Sequence, residues 1–268
     1  MINPQIFVNS LKKRDIAFIS GVPDSLLKSL CSCISEEYSD KSHIISTNEG
    51  SAIALGIGYH LGSNKVPMIY MQNSGIGNII NPITSLADKK VYGIPMLLVI
   101  GWRGEILPDG SQLKDEPQHK KQGLITINQL NLLGITFEVI DKDTKNFDFL
   151  LDKLLNEAKS KNTPVALVVR KNTFSNYQFS PKIKNNGYLS RELIIEEIIS
   201  NSGNCKIITT TGMASRELYE IREKNKNSHE KDFLTVGGMG HASQIATSIA
   251  INQPQRLVYC FDGDGGLL

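Results

Sequence analysis

Shifted by about 190 residues, the chain lies over itself. Ile16-Ala17-Phe18-Ile19-Ser20-Gly21 falls near Lys206-Ile207-Ile208-Thr209-Thr210-Thr211-Gly212, and each is an apolar run ending in Gly ahead of a helix pattern. Gly50-Ser51-Ala52 falls on Gly240-His241-Ala242, and each opens a helix. Val66 to Met71 falls near Arg256 to Phe261, and Gly75 falls on Gly265. Both Gly-rich turns therefore follow the third strand of their half. A chain that writes this order twice is restricted to two copies of one layered design. Strands alternate with helices, so the fold class is α/β: two duplicated parallel-sheet domains, the second cut short. The spacing predicts a first domain at 1–172, a linker at 173–188 and the N-terminal part of a second domain at 189–268. By domain size, roughly 100 further residues are expected to complete the second copy.

The pattern along the chain predicts strands at Ile16–Ser20, His43–Ser46, Pro67–Gln72, Pro95–Ile100, Thr136–Ile140 and Pro164–Arg170. It predicts helices from a cap at Asp24 or Ser25 through Ile34, then at Ser51–Leu61, Leu124–Leu133, Phe147–Lys159 and Arg191–Ser200. Gly101 to Gly123 reads as one long polar loop, a length that often carries function.

Charge and composition narrow the classes. A formal net charge of +2 and the lack of a basic stripe with interleaved aromatics argue against nucleic acid as a partner. No apolar run is long enough to span a bilayer, so no membrane contact is expected. Met1-Ile2-Asn3-Pro4-Gln5 has no charged start leading into an apolar core. Cys31 and Cys33 have no His or Cys cluster nearby, and Cys205 and Cys260 read as small core residues. A reducing cytoplasm fits this usage.

Two constellations carry chemistry. Leu257-Val258-Tyr259-Cys260-Phe261 runs into Asp262-Gly263-Asp264-Gly265-Gly266. Such a turn lets a diphosphate approach the backbone while Asp264 offers oxygen to a hard cation such as Mg²⁺; an ordinary glycine turn is the alternative. Thr47-Asn48-Glu49-Gly50 ends the second strand, which puts Glu49 at the carboxyl edge where open α/β sheets bind ligands. A solvated Glu favouring a helix dipole is the alternative there. Gly56-Ile57-Gly58-Tyr59-His60-Leu61-Gly62 lies inside a helix with the wrong spacing for a dinucleotide loop, and its glycines read as close helix packing.

These residues resemble a known family. Glu49 followed by Gly-Ser-Ala-x-Ala-x-Gly-x-Gly-Tyr is similar to the pyrimidine-binding (PYR) half of thiamine-diphosphate-dependent decarboxylases. Gly237-Gly238-Met239-Gly240, then a helix, a strand and Gly263-Asp264-Gly265, is similar to their diphosphate-binding (PP) half. Four segments sharpen the resemblance toward members that act on 3-phosphonopyruvate, with sulfopyruvate next: Ser20 to Ser25, Gln72 to Gly75, Asp115 to His119 and Gly212 to Tyr219.

The resemblance implies thiamine diphosphate and Mg²⁺ as cofactors, a small 2-keto acid as substrate, and a homodimer or higher homo-oligomer. It implies that Glu49 hydrogen-bonds the aminopyrimidine ring, the Gly237 carbonyl accepts from its amine, and Met239 wedges between the two rings, where a core methionine is the alternative. Asp264 would bind the metal, in a turn made by Gly263 and Gly265. In the family a paired Asn lies downstream of this turn, beyond the last residue of this sequence. His119 would donate a proton or touch substrate, unless it is a surface histidine among Lys114, Lys120 and Lys121. Arg216, Ser25 and Ser74 would hold an anionic substrate, and Asp24 would orient a donor or cap its helix. The implied reaction yields phosphonoacetaldehyde and carbon dioxide. Fused halves tilt the choice toward the phosphonate, since the sulfonate enzymes often split them between chains. A non-catalytic nucleotide-binding or assembly module is the alternative of a different class.

Overall fold

The computed structural model describes residues 1–178 and 189–267. The chain divides into two compact units, Met1–Ser180 and Pro181–Leu268. The linker expected at 173–188 lies mostly outside the described residues.

The first unit runs α1 (Pro4–Lys13), β1 (Ile19–Gly21), α2 (Lys28–Glu37), β2 (His43–Ile45), α3 (Glu49–Ser63) and β3 (Met68–Gln72). It continues with α4 (Ile76–Pro82), β4 (Met96–Gly101), α5 (Pro117–Leu132), β5 (Thr136–Ile140), α6 (Phe147–Lys161) and β6 (Pro164–Val169). The strands are parallel in the order β2-β1-β3-β4-β6-β5. Successive side chains leave a strand on opposite faces, so a sheet covered on both sides needs two cores. Met68, Tyr70, Leu97 and Val99 join α1, α2 and α6 in one core. Ile69, Met71, Leu98 and Ile100 join α3, α4 and Leu130 of α5 in the other. This is why the strands read as unbroken apolar runs.

Local chemistry sets the helix ends. Asn48 caps α3, its Oδ1 accepting from Ser51 N at 2.9 Å. Asn64 and Asn162 end α3 and α6 in the left-handed conformation that Asn tolerates better than most residues.

The second unit runs α7 (Arg191–Asn201), β7 (Lys206–Thr209), α8 (Met213–Lys224), β8 (Asp232–Leu234), α9 (Ala242–Asn252), β9 (Val258–Phe261) and a short α10 (Asp264–Leu267). Its parallel strands take the order β8-β7-β9, the same as β2-β1-β3. The cores repeat too. Ile195 and Ile199 of α7 and Leu218 and Ile221 of α8 cover one face, as α1 and α2 do; Ala242 and Ala246 of α9 cover the other, as α3 does.

Several expectations change. The segment 101–123 is not one loop: α5 begins at Pro117, a favoured first helical residue, and takes in His119. Neither Asp24 nor Ser25 caps α2, which starts at Lys28 with no side-chain cap. Gly56 packs closely, a Cβ there lying 3.0 Å from Ile69 Cδ1, but Gly58 and Gly62 face open space. Cys205 is buried as expected.

Candidate active site

The strand order places a reversal between β1 and β3. The chain leaves β1 for β2 on one side and returns to β3 on the other. The crevice outside the carboxyl ends at such a reversal is the preferred ligand site of open α/β sheets. Asp24 and Ser25 follow β1, Glu49 follows β2, Asn73 and Ser74 follow β3, and Arg103 follows β4. Four adjacent strand ends thus supply the polar groups of the first unit's site.

Glu49 is the first residue of α3 and only 8 % exposed. Its Oε2 accepts from Asn78 Nδ2 at 2.7 Å. Gly75 makes room for it: a Cβ on Gly75 would lie within 2.5 Å of Glu49 Cδ and Cγ. The reading of Glu49 as a solvated helix-end residue is therefore wrong. The carboxylate is packed against the turn after β3 and held by one amide.

Asp24 is buried, with Oδ1 accepting from Leu26 N at 3.2 Å and Oδ2 without a partner among the described residues. Gly101 is needed beneath it, since a Cβ there would overlap Oδ2. Burial pushes the Asp24 carboxyl up to about 6, against the pull of the Leu26 N–H and the charge of Arg103. Ser25 is exposed, and its Oγ accepts from Arg103 Nη1 at 2.9 Å. Ser74 sits in the turn after β3, its Oγ accepting from Gln72 Nε2 at 2.7 Å.

His119 is buried in the first turn of α5, with Nε2 3.7 Å from Glu116 Oε2. Burial, and then the charge of Arg103, lower the proton affinity of its ring, so the neutral imidazole is favoured. The surface-histidine alternative falls with its burial.

Two residues at this edge escape a reading of the sequence. Arg103 donates Nε to Asp115 Oδ2 at 2.8 Å and Nη2 to Asp115 Oδ1 at 2.6 Å. Asp115 also accepts from Gly104 N at 3.0 Å and Glu116 N at 2.8 Å. The Arg103 hydrogen bonds hold its carboxyl well below the usual carboxylate range. Asn73 fixes the backbone of Arg103, accepting from its N at 3.2 Å and donating to its O at 3.0 Å. Position after an apolar strand was the one available signal for Arg103. Asp115 lay in a segment that pointed to the family without a role of its own.

The second unit brings Gly237, Met239, Gly263, Asp264 and Gly265 to the carboxyl ends of β8 and β9. Gly238 and Gly240 flank Met239 at φ +66° and +88°, conformations that suit glycine. Gly238 O meets His241 Nδ1 at 2.9 Å, which steadies the turn. Met239 is 40 % exposed among these residues. A Cβ on Gly265 would lie 3.1 Å from its Sδ. Under the shift that superposes the halves, Glu49 falls on Met239 and Gly75 on Gly265, so the same glycine-to-side-chain contact occurs in both units. Arg216 is exposed in the first turn of α8.

Among the described residues no cluster of three or more His, Cys, Asp or Glu is placed to hold a metal. Mg²⁺ needs less, using one or two carboxylates with phosphate oxygens and water. Asp264 is exposed at the head of α10, and Asp262 Oδ2 is buried without a partner. The strand-end turn, its glycines and these carboxylates fit a metal-bound diphosphate. Among the described residues no helix is long and apolar enough to cross a membrane.

Residues 4–129 match the family described as thiamine pyrophosphate enzyme, N-terminal TPP binding domain. Phosphonopyruvate decarboxylase of Streptomyces viridochromogenes is 28 % identical over 293 residues, covering all of this chain and 68 % of that protein. Sulfopyruvate decarboxylase of Methanosarcina acetivorans is 24 % identical over 290 residues, covering all of this chain and 70 % of that protein. Among solved structures, the thiamine diphosphate-dependent 4-hydroxybenzoylformate decarboxylase of Rhodococcus jostii RHA1 aligns with a TM-score of 0.50 at 13 % identity, over 81 % of this chain and 40 % of that one. That likeness concerns the fold, and it agrees with the parallel-sheet α/β architecture. The Methanosarcina protein is a single sulfopyruvate decarboxylase chain that matches both halves, so fused halves do not favour the phosphonate.

Proposed function

We infer, for a chain homologous to phosphonopyruvate decarboxylase and sulfopyruvate decarboxylase, that it is a 2-keto acid decarboxylase using thiamine diphosphate and Mg²⁺. The substrate we propose is 3-phosphonopyruvate, giving phosphonoacetaldehyde and carbon dioxide in phosphonate biosynthesis. The observation that carries the reading is Glu49, a buried carboxylate held by Asn78 against Gly75 beside the sheet's reversal point.

When bound, thiamine diphosphate supplies the electron sink for loss of carbon dioxide. Glu49 would hydrogen-bond the aminopyrimidine ring, with Asn78 fixing its carboxyl group. The Gly237 carbonyl would accept from the exocyclic amine, and Met239, projecting from its glycine turn, would pack against the cofactor. Asp264 would hold Mg²⁺, with Gly263 and Gly265 leaving room for the diphosphate at the backbone. His119, neutral in its buried setting, is the group suited to pass a proton to or from substrate. Ser25, Ser74 and Arg216 would offer donors to the substrate's oxyanions, and the buried Asp24 would orient a donor. The active form is a homo-oligomer, at least a dimer, working in the cytoplasm.

Calorimetry with thiamine diphosphate and Mg²⁺ tests the cofactor, and no heat of binding would favour a non-catalytic module instead. The full-chain match to a sulfopyruvate decarboxylase keeps a second substrate in view. Side-by-side turnover decides, and faster use of sulfopyruvate reassigns the substrate.

A further inference from the structure

Arg103 is the partly buried cation among the groups that follow β1 to β4. Its neighbours there are acidic: Asp115, Asp24 and Glu116. Lys114, Lys120 and Lys121 lie exposed. Arg170, at the end of β6, lies over the Trp102 ring at 5.1 Å and 3.4 Å from Glu105 Oε2. An anionic ligand entering the crevice at the β1–β3 reversal therefore meets Arg103 as the partly buried cation among the described residues that follow β1 to β4.

That group is engaged on one edge. A guanidinium carries five N–H donors in a fixed plane. Asp115 takes two of them, from Nε and Nη2, and Ser25 takes one from Nη1. One donor on Nη1 and one on Nη2 have no partner among the described residues. The arrangement resembles a held fork: Asp115 fixes the plane and aim, Asn73 fixes the backbone, and two donors are left over. A salt bridge that only fastened the loop between β4 and α5 would not need the link to Ser25, on the far side of the reversal.

We propose that Arg103 is a substrate-binding residue, its two remaining N–H groups taking one oxyanion of the keto acid, with Asp115 and Ser25 as positioning residues. This rests on the decarboxylase reading for the identity of the ligand. Arg suits the task because two parallel charge-assisted bonds fix both distance and plane for a carboxylate or phosphonate. Asp115 supplies preorganisation, so little side-chain freedom is lost when substrate arrives.

The test measures binding of 3-phosphonopropionate, which lacks the keto group, to the full chain by calorimetry. Arg103→Gln is expected to raise Kd by about 10- to 100-fold, the range for loss of charge-assisted bonds. Arg103→Lys keeps the charge without the fork and should fall between. Arg103→Gln leaves Asp115 unpaired, so the double variant Arg103→Gln/Asp115→Asn is the control for folding. It should restore the melting of the first unit, read by Trp102 fluorescence, without restoring binding. Recovery of binding in the double variant, or Arg103→Gln within twofold of wild type, overturns the proposal. In turnover, KM should rise more than kcat falls. Competition by ethylphosphonate and by propionate shows which oxyanion Arg103 holds: the one whose binding depends on Arg103. Thiamine diphosphate binding is measured separately. Its absence beside Arg103-dependent binding of 3-phosphonopropionate sinks the decarboxylase reading alone, whereas its retention beside Arg103-independent binding sinks only this inference.

Discussion

The two units share a strand order and a helix arrangement, and the turn after each third strand is built on a matching glycine, yet the side chains that meet there differ. Gly75, after β3, presses on the Glu49 carboxyl group, and Gly265, after β9, on the Met239 thioether. One backbone plan thus carries two side-chain chemistries. At the first turn Asn78 holds the carboxyl group by a hydrogen bond; at the second, Gly238 and Gly240 at positive φ present the thioether.

The largest expected effect separates Glu49 from its counterpart Met239. Glu49→Gln should lower kcat by about 10²- to 10⁴-fold, the usual contribution of a positioned acid or base. Met239→Leu, which preserves bulk, should cost far less in the same steady-state assay. Equal losses would break the division of labour between the two turns.

Packing comes next. Met71→Ala should destabilise the first unit by about 2–5 kcal/mol, the cost of truncating a fully buried side chain. Urea unfolding followed by circular dichroism measures the loss.

Asp24 gives a pH test confined to the first unit. Its carboxyl titrates near 6 when folded, against a reference value of 3.8. The native state therefore holds a proton that the unfolded chain releases earlier, and stability falls as pH rises between those values. The loss amounts to about 3 kcal/mol and is complete above the folded value. Asp24→Asn should unfold at higher urea than wild type at pH 7, with the advantage gone below pH 4. Trp102 is the one tryptophan of the chain and lies buried in this unit, so its fluorescence reads the difference. A pH-independent gap would mean that folding leaves the proton affinity of Asp24 unchanged.

The smallest effect compares the two turn glycines. Gly75→Ala forces Glu49 to move and should cost about 1–3 kcal/mol through overpacking. Gly265→Ala meets only the flexible end of Met239 and should cost less than about 0.5 kcal/mol. Thermal melts of the two variants rank them.

Much of the fold was legible because the repeat is written in apolar runs and glycines. Thr136–Ile140 and Pro164–Val169 fall where the runs predict, and the order of strands carries the parallel sheet. The start of α5 was not legible: Pro117 and the charges after it look like loop, and only burial of His119 and Thr126 beneath the neighbouring turns makes them helix. Glu49 was legible as a position, since it ends a strand before a small-residue helix. Its burial was not, because that depends on Gly75, which is 26 positions away in sequence and adjacent in space.

By itself the amino-acid order determined the doubled α/β plan, the glycine turns at the strand ends and the acidic residue at the head of α3. Periodicity and backbone freedom are local properties, and a single chain states them directly. Tertiary structure alone decided that Asp24 and His119 are buried and that Arg103 bridges Ser25 and Asp115. Desolvation and ion pairing are set by what surrounds a group in space, and neighbours 78 and 12 residues away come together only when the sheet closes its order.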